Sequence, residues 1–197
     1  MKQNNLATKD TILQVASNIF KKFGFQKTTV DEIAHAARKA KGSIYYYFKN
    51  KDDIFQAVVE NEYQHLKNEL LKVVDKKENS LFKLKEFFLT RIQIMCESQN
   101  FTETLNNEYF KYFNFAQNFS KKFEALEKNF IKSILSEGVK NDELIINNID
   151  ISTQALIITF NGFENQYFVK KNSITNLENE INEIFNIIFN GIKKTNL

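Results

Sequence analysis

Apolar residues recur along this chain every three or four positions, the signature of helices that bury one face and leave the other in water. Ile12, Ala16, Ile19, Phe20 and Phe23 form the first stripe, with Thr8 placed to cap its start and Gly24, after Lys21 and Lys22, to stop it. Residues 1–7 are polar and are expected to be disordered, with Lys2 and Lys9 available for phosphate contacts. Asn50, with Asp53 three positions on, marks another helix start, and Phe55, Val58, Val59, Tyr63, Leu66, Leu70 and Val73 continue as a long amphipathic helix. Further helices are predicted near 80–98, 102–112, 115–137, 150–170 and 175–193, separated at SQN, at FNF and at Gly138. The chain has no proline and only five glycines, so nothing interrupts these long stretches, and an all-α fold follows.

Between the first stripe and the long helix lies TTVDEIAHAARKAKGSIYYYFKNK, residues 28–51. Thr28 is placed as an N-cap with Asp31 to complete a capping box, and Val30, Ile33, Ala34 and Ala37 share one face of a short helix. After a turn of about three residues, the usual length in a helix-turn-helix, Lys41 opens a second short helix. Ile44 and Phe48 lie one turn apart and point inward. The 100° step of the helix then sends Gly42, Ser43 and Tyr46 outward and puts Tyr45 and Tyr47 on the flanks. A phenol on a flank packs its ring on protein and sends its hydroxyl to a phosphate, while Gly42 lets the backbone approach a groove closely. The N-terminal residues of such a helix are the ones that reach base edges.

Charge sharpens this reading. The first 51 residues carry ten Lys or Arg against three Asp or Glu, a net +7, whereas the remaining 146 carry 17 against 21, a net −4. A polyanion partner for the N-terminal part alone is the reading that asymmetry supports.

TTVDEIA, KGS and YYYFKNKDD, with their spacing, resemble the DNA-binding domain of the tetracycline-repressor (TetR/AcrR) family of bacterial transcription regulators, over about residues 8–55. The resemblance implies a helix-turn-helix DNA-binding domain at 1–51 and a helical effector-binding and dimerisation domain at 52–197. It also implies a homodimer on a palindromic DNA operator, a small-molecule effector, and repression as the usual mode. Thr28 or Thr29, Lys41, Ser43, Tyr45, Tyr46, Tyr47 and Lys51 fall where the family contacts DNA, and Gly42 where its backbone nears the groove. The chain departs from the family at Arg38-Lys39-Ala40, where Gly-Val-Ser is usual. Arg38 implies either a strained left-handed residue or a different turn, Ala40 forfeits a serine cap, and Arg38 and Lys39 both gain reach to phosphates.

The last helix carries Leu177, Ile181, Ile184 and Ile188 on one stripe with Phe185, Phe189 and Ile192 beside it, an apolar face too wide for one neighbour. The resemblance assigns the last two long helices to a dimer four-helix bundle; a purely internal helix is the alternative. Sixteen of the 20 phenylalanines lie beyond Lys51. Most belong to a core, since each ring buries about 150–250 Å². A lipophilic effector pocket among them is expected to draw on Phe88, Phe113, Phe123, Phe130 and Phe160, with Tyr109, Asn161, Glu164 and Tyr167 as polar groups that orient the ligand.

The remaining composition narrows the alternatives. One cysteine, Cys96, forms no internal disulfide, and neither a membrane-length apolar run nor an apolar leader segment is present, so a cytoplasmic protein is expected. His35 and His65 are the only histidines. Glu62-Tyr63-Gln64-His65 has the E-x-x-H spacing of di-iron bundles, but that chemistry needs two copies. No phosphate-binding glycine loop, Cys-x-x-Cys or G-x-S-x-G is present, so no catalytic residue, metal or cofactor is implied. A helical-bundle metalloenzyme and a ligand-blind dimeric DNA-binding protein remain as the other classes.

Overall fold

The computed structural model describes the backbone over residues 2–107, 109–110, 113–170 and 174–189, with side chains over 7–107, 109–110, 113–164 and 179–188. The described residues form nine helices and no strand: α1 (Lys2–Phe23), α2 (Val30–Ala36), α3 (Lys41–Tyr47), α4 (Lys51–Val74), α5 (Ser80–Glu97), α6 (Gln99–Asn106), α7 (Asn114–Lys140), α8 (Ile149–Lys170) and α9 (Ile174–Phe189). Helix boundaries depart from expectation in several places. The backbone of α1 is already helical at Lys2, ahead of the expected Thr8. The cap of α2 is Thr29 with Glu32, not Thr28 with Asp31: Thr29 Oγ1 accepts the Glu32 N–H, and the Glu32 carboxylate accepts the Thr29 N–H at 2.7 Å. Helix α6 starts at Gln99 rather than near 102, and it ends before 112 because Asn107 leaves the helix with ψ 125° and its side-chain oxygen accepts the Tyr109 N–H. Gly138 does not end α7, which runs on to Lys140. A Cβ there would sit 2.6 Å from Leu144 and 2.7 Å from Ser80 Oγ, so a larger residue would displace both side chains, and the chain turns instead at Asp142, φ 60°.

Residues group into two compact units. The first comprises residues 1–65 and 95–118 and the second residues 66–94 and 119–197, so compactness divides the chain differently from the functional division expected at 51/52. In the first unit Ile12, Ala16, Ile33, Ile44, Ile54 and Val59 are all but sealed from solvent. An aromatic cluster completes this core: Phe55 meets Phe20 edge-on at 5.1 Å, Phe25 at 4.7 Å, and stacks on Phe110 at 5.1 Å. In the second unit Phe88 stacks on Phe160, with Phe185 beside both, and Ile131, Ile134 and Leu135 are sealed from solvent. No helix among the described residues is long and apolar enough to cross a membrane.

Candidate nucleic-acid interface

The turn between α2 and α3 is built around Arg38. Its φ is 52°, so the left-handed conformation that a glycine would take at no steric cost is kept by an arginine. Backbone bonds close the end of α2 in a Schellman pattern, from Lys39 N–H to the Ala34 carbonyl at 3.0 Å and from Arg38 N–H to the His35 carbonyl at 3.1 Å. Of the two readings left open for this turn, the strained one is therefore observed. Ala40 caps α3 with no side-chain hydrogen bond. Between the two helices Lys41 Nζ reaches Asp31 at 2.8 Å, a surface pair that holds the lysine's pKa above its ordinary 10.5.

The face of α3 then follows its period. Ile44 is 0% and Phe48 5% exposed, and the two anchor the helix. Tyr46 is 72% and Tyr45 47% exposed, with Gly42 and Lys41 exposed and Ser43 and Tyr47 half-buried. The Tyr46 and Tyr47 rings meet edge-on at 4.9 Å, which orients the outward phenol. Arg38 and Lys39 are exposed beside it. This constellation presents an uncharged, hydrogen-bonding face rimmed by cations, suited to base edges at its centre and phosphates at its margin.

Residues 12–58 match the family model described as bacterial regulatory proteins of the tetR family. Over 193 residues the chain is 28% identical to the HTH-type transcriptional regulator QacR of Staphylococcus aureus, covering 94% of this chain and 98% of that one. Residues 12–58 are thus a DNA-binding domain of the tetR family. The chain is a DNA-binding transcription regulator, as its relatives are, and not an enzyme. Its fold is shared by FadR from Bacillus subtilis in complex with stearoyl-CoA (20% identity, TM-score 0.70, 89% of this chain and 96% of that one) and by SmeT in its triclosan complex (18% identity, TM-score 0.74, 95% and 92%).

Two of the expected DNA contacts serve the protein's own packing. Thr28 is buried, and its hydroxyl donates to the Gly24 carbonyl at 2.8 Å. Lys51 Nζ donates to the carbonyls of Phe25 at 2.8 Å and Gln26 at 3.3 Å and lies 4.4 Å from the Phe25 ring centre, so it ties the start of α4 to the α1–α2 turn. Thr29 is exposed, but its hydroxyl is engaged in the α2 cap.

The residues expected to line an effector pocket separate. Tyr109 and Phe113 belong to the aromatic cluster of the first unit. Phe88, Phe123, Phe130, Phe160, Asn161 and Glu164 lie in the second, while the side chain of Tyr167 lies outside the described ones. Phe88 and Phe160 are fully buried against each other. Asn161 and Glu164 meet a residue that pattern reading passed over: Arg91 of α5. Its Nε lies 2.9 Å from Glu127, Nη1 pairs with Glu164, Nη2 donates to Asn161 Oδ1 at 2.9 Å, and the guanidinium sits 5.3 Å from the Phe123 ring centre. Arg91, Glu127 and Glu164 are 3%, 2% and 4% exposed, and burial lifts the pKa of both glutamates against the opposing pull of Arg91. The signal was present in the sequence. Arg91 falls four positions after Phe87 and three after Phe88, on the same helix face as those rings. Glu127 and Asn161 also line a cavity of about 480 Å³ between α7 and α8, with Glu124, Gln154 and Ile157.

The expected dimer stripe also needs correction. Ile181 and Phe185 are buried within the protomer, Phe185 against Phe88 and Phe160, because the widest apolar part of α9 closes its own core. Ile184 and Ile188 are half-buried, and the side chains of Leu177 and Phe189 lie outside the described ones, as does Ile192 altogether. Among the described residues no group of three or more His, Cys, Asp and Glu gathers to hold a metal. Glu62, the acid of the E-x-x-H spacing, is engaged by Ser17, Asn100 and the Phe101 N–H.

Proposed function

We propose that this chain is a cytoplasmic, homodimeric repressor of the TetR family that binds a palindromic operator through α3 and is released by a small lipophilic effector. The observation that carries the reading is the division of α3, with Ile44 and Phe48 buried, Tyr46 and Gly42 exposed, and Ser43 half-buried beside them. Residues 1–51 act as the reader and 52–197 as the sensing and pairing part. Ser43, Tyr46 and Lys41 discriminate bases, with Lys41 exchanging Asp31 for the duplex, while Arg38, Lys39, Tyr45 and Tyr47 engage phosphates. Dimer pairing draws on Ile151 and Ile158, 68% and 62% exposed on α8, and Ile187, 70% exposed on α9, where isolated apolar side chains in water favour a partner copy. Two copies then present their α3 helices to major grooves one helical turn, or a multiple of it, apart.

Support for an effector comes from the stearoyl-CoA and triclosan held by two proteins of this fold. In this chain the cavity beside Glu127 and Asn161 is the seat proposed for it. An effector acts only to the extent that its affinity differs between the DNA-competent and released states. The sealed stack of Phe88 on Phe160 favours a second reading, a ligand-blind dimeric DNA binder whose interior is filled by its own rings. A gel shift on the DNA flanking the protein's own gene, repeated with triclosan and with stearoyl-CoA, tests both. A specific shift with no displacement, from protein whose native mass spectrum shows an empty dimer, supports the ligand-blind reading. No specific shift removes the repressor reading.

A further inference from the structure

Helix α6 begins one residue after α5 ends, and its own N-cap, Ser98, makes no side-chain capping hydrogen bond. The first-turn N–H groups of a helix need acceptors, and a buried helix start without them is costly. Here the acceptor comes from another helix. The Glu62 carboxylate of α4 accepts the Phe101 N–H at 2.9 Å through Oε2, while its Oε1 accepts Asn100 Nδ2 at 2.7 Å and the Ser17 hydroxyl at 3.0 Å. Asn100 Nδ2 also reaches the Ser17 carbonyl and hydroxyl of α1, each at 3.2 Å. One carboxylate thus joins α1, α4 and the start of α6. Its surroundings are closed: Asn100 is 1% exposed, Phe101 is sealed and packs on Tyr63 at 5.7 Å, and Thr104 bonds back to the Asn100 carbonyl. A further polar link from this region to α1, Lys21 Nζ to the Glu97 carbonyl, is long at 3.4 Å and exposed.

Resting on the regulator reading above, we propose that Glu62, with Asn100, is the positioning residue that passes displacement of α5 to the DNA-reading helices. A shift of α5 moves the first turn of α6 through the single residue Ser98. The carboxylate cannot follow that turn without altering its bonds to Ser17, and α1 is the helix against which α2 packs. Coupling of this kind is reciprocal, so DNA binding must in turn alter α6. The coupling is therefore measurable without knowing the effector.

The experiment is amide hydrogen exchange on the full chain, free and bound to a duplex that the protein itself enriches from a random-sequence pool. In the wild type, exchange over residues 99–106 should slow on DNA binding by about fivefold or more, the lower end of usual coupling between sites. Glu62→Gln places an amide donor against the donors of Phe101 or Asn100 and should abolish that DNA-linked slowing. Glu62→Ala combined with Ser98→Asp gives α6 a local cap, so exchange in the free protein should return to the wild-type rate while the DNA-linked slowing stays absent. If the double variant regains the slowing, Glu62 is only a helix cap and the proposal is overturned. Where the Glu62 variants do not fold, Ser17→Ala, on a half-buried α1 position, should reduce the slowing, and a wild-type response there overturns the proposal. A wild type that binds its duplex with no change in α6 also overturns it and leaves the regulator reading intact. A pool that yields no enriched duplex removes the regulator reading and this joint together.

Discussion

Two positions apart on α3, Ile44 is sealed from water and Tyr46 is 72% exposed. The pair fixes the helix rotation: the isoleucine cannot leave the core without a cavity, and the tyrosine is thereby held outward. Tyr46→Ala should weaken specific binding by about 1–3 kcal/mol while sparing random DNA. Its effect on folding should stay within about 0.5 kcal/mol, as for an ordinary surface change. Fluorescence anisotropy on the enriched duplex and on random duplex of equal length checks both halves, and equal losses on the two would remove Tyr46 from base recognition.

Arg38 keeps a left-handed backbone at φ 52° in a turn where the family has glycine. Such a conformation costs a side-chain-bearing residue roughly 1–2 kcal/mol, partly offset by the greater unfolded-state freedom of glycine. Arg38→Gly should therefore stabilise by about 0.5–1 kcal/mol, and Ala40→Ser should add about 1 kcal/mol by capping α3. Urea denaturation of the single and double variants measures this. Arg38→Gly should at the same time weaken binding to random DNA at low salt, since a cation is lost.

Lys51 and Lys39 should separate packing from phosphate contact. Lys51 donates to two carbonyls and lies over the Phe25 ring, so Lys51→Met should destabilise by about 1.5–3 kcal/mol, the usual worth of charge-assisted hydrogen bonds, with little change in the salt dependence of DNA affinity. Lys39 is exposed, and Lys39→Ala should flatten that salt slope by about one unit and leave stability unchanged. A steeper loss of salt dependence for Lys51→Met than for Lys39→Ala would reverse the two assignments.

The Arg91 cluster predicts a pH dependence of known sign. Burial raises the pKa of Glu164 above its ordinary 4.5, so the folded state holds a proton that the unfolded chain gives up more readily. Below about pH 4.5 both states are protonated and this cost is absent. It grows as pH rises from there towards the raised folded value and is complete above it. Glu164→Gln leaves one guanidinium facing one carboxylate, Glu127. Its stability relative to the wild type should increase with pH across that window, followed by urea unfolding from pH 4 upward. A difference that shrinks with rising pH would show that the pull of Arg91 outweighs burial.

What the chain made legible was local. The inward pair Ile44 and Phe48, the stop at Gly24, the cap at Asn50 and Asp53, and the left-handed demand at position 38 all depend on residues within about one helical turn of each other, so periodicity and capping chemistry expose them. Even the shift of the α2 cap from Thr28 to Thr29 is local, decided by the longer reach of Glu32 while Thr28 turns to the Gly24 carbonyl. The partners of Arg91, the joint at Glu62, the inward turn of Ile181 and Phe185 and the retention of Lys51 by the Phe25 carbonyl were decided only in the folded protein. Each joins positions far apart in sequence, and which helix faces meet is a property of packing volume and buried charge summed over the core, which no single stretch of residues contains.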